Sequence, residues 1–202
     1  MVNERVNIKE RYRVTKKVIK VLLIIFVVLL ILLIAFAAGF VMNKGKKIEI
    51  HLENPIAGIV LKYTNEAGYV NRDAVVREGV LEFNEDYINY ILVALGTGYL
   101  QKSPIFGNPL IEFDLGGEIW NSEIKGGMPN SKKETIENED LRISISKEEA
   151  VEALLADNIE EFMKNSVVNG NTKIEMIAGK TELFTKGYLE MYKKLTGEEV
   201  SA

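Results

Sequence analysis

Cysteine is absent from the 202 residues, which excludes a disulfide framework, a thiolate metal site and a cysteine nucleophile. Histidine occurs once, at His51. A histidine metal cluster therefore cannot be assembled, and a Ser-His-Asp triad would have to use that one residue, although no serine stands in a nucleophile-elbow sequence. The acidic runs Glu137-Glu139-Asp140, Glu148-Glu149 and Glu160-Glu161 lack the spacing of an EF-hand loop and read as solvated faces, the last two as acids in first helical turns. Gly179-Lys180-Thr181 follows a strand and opens a helix, but Ile174 stands where a phosphate-binding loop needs its first glycine. This inventory leaves an enzyme little to work with, and the expectation is a protein without catalytic residues, cofactor or metal.

Charge is distributed unevenly. Residues 1–47 carry ten Lys/Arg and two Glu, which leaves fifteen basic and twenty-seven acidic residues, a net charge of −12, in the rest of the chain. A domain that acidic, with no basic stripe, repels nucleic acid.

Polar residues are missing altogether from Val21 to Met42. At 1.5 Å per residue those residues make a helix of about 33 Å, enough for a hydrocarbon core of roughly 30 Å. Ala35-Phe36-Ala37 has the small-x-small form of a signal-peptidase site, but the apolar run is longer than a signal core. The reading is a transmembrane helix at 21–42 after a basic cytoplasmic tail at 1–20, with a short stalk at 43–47 and an extracytoplasmic domain at 48–202. Arg5, Lys9, Arg11, Arg13, Lys16, Lys17 and Lys20 outnumber Lys44, Lys46 and Lys47, which orients the N-terminus to the cytoplasm. The expected location is that of a single-pass membrane protein with its C-terminal domain outside.

Within 48–202 the sequence divides into a strand-rich extension at 48–83 and a more regular part at 84–202. IEIHLE and IAGIVLKY, separated by Asn54-Pro55, read as two strands, whereas 68–83 fits neither period cleanly. Asn84-Glu85-Asp86 caps a helix running to about Leu100, in which Gly96 and Gly98 weaken the last turn or let something approach closely. Lys102 to Pro109 is a linker. LIEFDL and EIWNSEIK alternate and join at Gly116-Gly117 as a hairpin, a polar loop covers Gly126 to Asp140, and Leu141 to Ile145 is a strand with one buried face. Ser146 opens a helix with a capping box, and a second starts at Asp157 or Asn158. Thr172 to Ala178 is a strand, and a last helix spans about Thr181 to Leu195 with Gly197 placed as its cap. The fold class expected is α+β: a single transmembrane helix followed by a mixed sheet of about five strands backed by helices.

The order of elements from residue 110 onward resembles the sterol carrier protein type 2 family of lipid-binding domains. Phe113-Asp114-Leu115-Gly116-Gly117, Ile119-Trp120 and Ile124-Lys125-Gly126-Gly127 are similar to its opening hairpin, and Leu141 to Ser146 to its next strand. Glu148-Glu149, Phe162-Met163 and Lys173-Ile174 before Gly179 follow in the family's order. The resemblance covers about residues 84–197, with the helix from 84 in the place of the family's N-terminal helix.

What the resemblance implies is a sheet backed by helices around an apolar tunnel that accepts a fatty acid, sterol or other apolar ligand. Trp120, Phe162, Met163, Phe184, Tyr188, Met191 and Tyr192 are the candidate linings, because Met and aromatic side chains adapt to flexible ligands. The same residues at helical spacing also suit an ordinary core. The function expected is a membrane-anchored, non-enzymatic lipid or sterol carrier near the outer surface of its own bilayer. The alternative is a membrane-tethered protein-interaction subunit with no ligand cavity.

Overall fold

The computed structural model describes residues 25–31 and 48–196. They belong to two units, Met1–Lys44 and Gly45–Ala202. In the first, residues 25–31 are helical and exposed. The remainder of the expected span at 21–42, the tail, the stalk and the Gly197 cap lie outside the described residues. Among the described residues no helix is long and apolar enough to cross a membrane. The expected fold class and location are corrected accordingly: the fold is α+β with a five-stranded sheet, and neither a transmembrane helix nor a single-pass location is assigned.

In the second unit, residues 48–52 form no regular element, which corrects the first expected strand. The second is also corrected, because Ala57–Lys62 is a helix, α1. Asn54 starts it: its side-chain oxygen accepts from the Ile56 amide and its carbonyl from that of Ala57. Ile56 and Ile59 are buried and Val60 and Tyr63 pack against the core, a spacing of three and four that belongs to a helix. The segment 68–83, unassigned from sequence, contains α2, Arg72–Leu81, capped by Asn71. Helix α3, Glu85–Ala94, is capped by Asn84 and stops before Gly96, whose φ of 99° leads into a 3-10 turn at Thr97–Tyr99.

The sheet follows. Strands β1, Leu110–Asp114, and β2, Ile119–Lys125, form the expected hairpin. Strand β3, Met128–Lys132, pairs with β2 and lies inside the segment read as a polar loop. Strand β4, Leu141–Ile145, runs parallel to β1 on its other side, and β5, Thr172–Met176, closes that edge antiparallel, giving the order β3-β2-β1-β4-β5. Between β4 and β5 lie α4, Lys147–Leu154, capped by Ser146, and α5, Ile159–Val168, capped by Asn158. The last expected helix is two, α6, Lys180–Lys186, and α7, Tyr188–Thr196, broken at Gly187 with φ 88°.

Successive strand side chains point to opposite faces. Ile111, Phe113, Ile143 and Ile145 join Ile88, Ile91, Leu92 and Met163 of the helices in one core. On the other face Glu112, Arg142 and Glu175 stand abreast on β1, β4 and β5.

Candidate functional site

Residues 48–52 lie as a strap against the end of α3. The Ile48 amide donates to the Gly98 carbonyl at 3.2 Å, and a Cβ on Gly98 would sit 2.5 Å from the Ile48 oxygen. The close approach foreseen at this glycine is therefore made by the strap. Between strap and helix opens a cleft of about 400 Å³, lined on its apolar side by Ile48, Ile50, Leu52, Val93 and Ala94 and carrying Glu49, His51, Tyr90 and Glu160. Asn89, one residue before Tyr90, accepts from Ser131 Oγ at 2.7 Å, and Ser131 and Ser122 share a hydrogen bond of 2.6 Å. That chain fixes α3 on β3 and β2.

A second polar assembly is buried where β1, β4, α6 and α7 meet. Asp140 is 0 % exposed and Lys186 1 %. Lys186 Nζ donates to Asp140 Oδ1 at 2.6 Å and to Glu182 Oε1 at 2.7 Å. The Leu110 amide donates to Asp140 Oδ2 at 2.7 Å, and Tyr188 Oη lies 3.0 Å from the same oxygen. Burial pushes the Asp140 carboxyl above its ordinary value, against the pull of Lys186 and the Leu110 amide. Burial and the adjacent Asp140 charge together hold the Tyr188 phenol well above its own. The assembly has no opening to solvent at Asp140, Lys186 or Tyr188, so it positions backbone and does not present a reactive group.

No family model matches the chain, and no curated protein matches it. Among solved structures it is similar to a UbiJ-SCP2 ubiquinone synthesis protein, with 7% identity and a TM-score of 0.33 over 57% of this chain and 93% of that one. At that TM-score the likeness carries no argument about fold, ligand or activity.

The seven residues proposed to line a tunnel are distributed as follows. Trp120, Met163, Tyr188 and Met191 belong to the apolar core. The Trp120 indole donates to Glu118 at 2.9 Å, and Glu118 also binds Lys133 at 2.8 Å and Lys147 at 3.0 Å. Lys133, with Trp120 and Lys147, holds the Glu118 carboxyl down at about 2. Phe162 packs against the core from its edge, Tyr192 is half-buried and Phe184 is exposed. Met163 is 0 % exposed and Met191 1 %. None of the seven lines the surface clefts of about 280, 400, 450 and 560 Å³.

Sequence reasoning missed the strap cleft because IEIHLE alternates like a strand. It missed the Asp140 assembly because Asp140 and Lys186 are 46 residues apart and each sits among other charges. Gly98 was the one legible signal.

Proposed function

We propose that this domain binds a lipid or another apolar molecule without changing it chemically, and that the strap cleft is where it does so. The observation that carries the reading is the cleft itself, about 400 Å³ with an apolar wall from Ile50, Leu52, Val93 and Ala94. Small-molecule sites commonly occupy about 300 to 1,000 Å³, and this cleft falls in that range, with Glu49, His51, Tyr90 and Glu160 beside its apolar wall. Covering such a wall removes apolar surface from water at about 25 cal/mol per Å², with no reactive group required. The lack of cysteine and the single histidine agree with a non-enzymatic role. The test is titration of the delipidated full chain with fluorescent sterols and alkyl-chain probes of differing head groups. Saturable binding of at least one probe is expected, with loss of binding in Val93→Trp, which fills the cleft. Absence of saturable binding across the panel overturns the reading.

A protein-docking role is the second reading, favoured by one specific feature. Val76, Val80 and Leu81 on α2, with Arg77 and Glu148, border a concavity of about 280 Å³, and Leu81 is 86 % exposed. An apolar rim of this kind suits another protein's side chain. Stoichiometric copurification of a protein without lipid, abolished by Leu81→Asp, is the outcome that favours it.

A further inference from the structure

The strap is fixed at one end and lightly tied at the other. At its C-terminal end Asn54 Nδ2 donates to the Leu154 carbonyl at 2.8 Å, Asn54 Oδ1 accepts from the Ile56 amide at 3.1 Å, and the Asn54 carbonyl accepts from the Ala57 amide at 3.0 Å. From Ile48 to Glu53 the one hydrogen bond among the described residues is that of the Ile48 amide to Gly98. Ile50 and Leu52 are half-buried, whereas Glu49, His51 and Glu53 are exposed, so the segment rests on the domain by alternate apolar side chains. Two glycines shape its seat: a Cβ on Gly98 would collide with the Ile48 oxygen, and one on Gly127 would lie 3.3 Å from Ile50 Cδ1. A segment held by so few bonds opens locally, well below the free energy of global unfolding. The fixed end at Asn54-Pro55 supplies a hinge.

The strap also stands between two spaces. The cleft of about 400 Å³ shares Leu52 and Tyr90 with a second concavity of about 450 Å³ that continues past Asn54 to Asp86 and Met128. Leu52, carried by the strap, and Tyr90, on α3, are therefore the border common to both. An extended chain that fills the first space meets Leu52 before it reaches the second, and moving Leu52 aside joins the two.

Resting on the apolar-ligand reading above, we propose that the strap is a gate: residues 48–52 swing out about Asn54-Pro55 to admit an extended apolar chain along α3, then close over it. Once closed, Ile50 and Leu52 cover the chain and remove its surface from water. The strap thus slows exit as well as entry.

The test follows a fluorescent long-chain alcohol, and beside it a fluorescent sterol, into the full chain by stopped flow, with hydrogen exchange recorded at the Ile48 amide. In the unaltered protein, saturating probe is expected to slow that exchange roughly tenfold or more. In Gly98→Ala, checked for native circular dichroism, the added methyl unseats Ile48. Association and dissociation are then expected to quicken together, roughly threefold or more, with the dissociation constant little changed. Equal rates in the variant and the unaltered protein, with Ile48 exchange faster in the variant, overturn the gate and leave lipid binding standing. Faster dissociation with unchanged association makes the strap a passive wall and overturns the gate as well. Ile48 exchange unmoved by bound probe puts the probe elsewhere than beneath the strap, which overturns it too. Saturable binding of neither probe, nor of any other in the panel, removes both readings.

Discussion

Lys186 at 1 % exposure is held to Asp140 and Glu182, and a buried ammonium is tolerable only when paired in this way. Asp140 in turn holds the Leu110 amide and receives Tyr188, while its own carbonyl accepts from Ile177 and Ala178. One residue thus ties the start of β1 and both C-terminal helices through its carboxylate, and the turn after β5 through its backbone carbonyl. Removing one partner of a buried pair strands the other charge, at about 3 to 5 kcal/mol. Lys186→Met is expected to lose that much in urea unfolding. Because the cost lies in the stranded charge, Asp140→Asn/Lys186→Met is expected to be less destabilised than the two single changes summed. Tyr188→Phe removes only a hydroxyl, and a loss of about 1 kcal/mol is expected. It also bears on the two roles considered for Tyr188: a purely structural residue changes unfolding and leaves binding of every lipid probe untouched.

The strap and the C-terminal helix pair each depend on one glycine against a backbone oxygen. At Gly187 a Cβ would lie 2.5 Å from the Tyr99 oxygen, and φ is +88°, so alanine meets both a clash and a left-handed backbone. Gly187→Ala is expected to cost about 2 kcal/mol or more by thermal or urea unfolding. Gly98 carries only the clash with Ile48. Gly98→Ala is expected to release the strap locally, read as faster hydrogen exchange at the Ile48 amide with the sheet amides of β1 and β4 unchanged. These elements explain what the sequence revealed and what it hid. The hairpin at Gly116-Gly117, β4 and the caps at Asn84, Ser146 and Asn158 were legible because each depends on local alternation or a side chain reaching its own backbone. Ala57–Lys62 was misread although Ile56, Ile59, Val60 and Tyr63 carry a helical period, since β-branched residues also suit strands. Strand β3 was hidden by Pro129, which an edge strand accepts, and by the polar residues of its outer face, although Gly126-Gly127 is turn chemistry. The candidate site was the least legible part. Periodicity marks Met163 and Met191 as facing inward but cannot reveal whether space remains beside them, and the strap cleft arises from a contact fifty residues apart in the chain.

For the molecule as a whole, acid is the informative perturbation, because the domain carries a large excess of carboxylates and several are engaged in the folded state. Glu118 receives Lys133, Trp120 and Lys147, which bridges β2 to the start of α4. Its carboxyl sits at about 2 in the fold against an ordinary 4.5. A lowered folded value means that protons prefer the unfolded chain; the stabilisation is complete above about 4.5 and is lost as pH falls from there toward about 2. Asp140 runs the other way, since burial raises its value; its ionisation becomes a cost as pH rises and contributes no acid lability. Urea midpoints measured between neutral pH and pH about 2.5 are expected to fall in the Glu118 window. Glu118→Gln is expected to lower the neutral-pH stability by about 1 kcal/mol, as removal of a partly exposed charged acceptor does, and to flatten the acid limb. A variant that lowers the whole curve in parallel, with the slope between pH 4.5 and 2 unchanged, shows that Glu118 acts through packing of Trp120 and not through its charge.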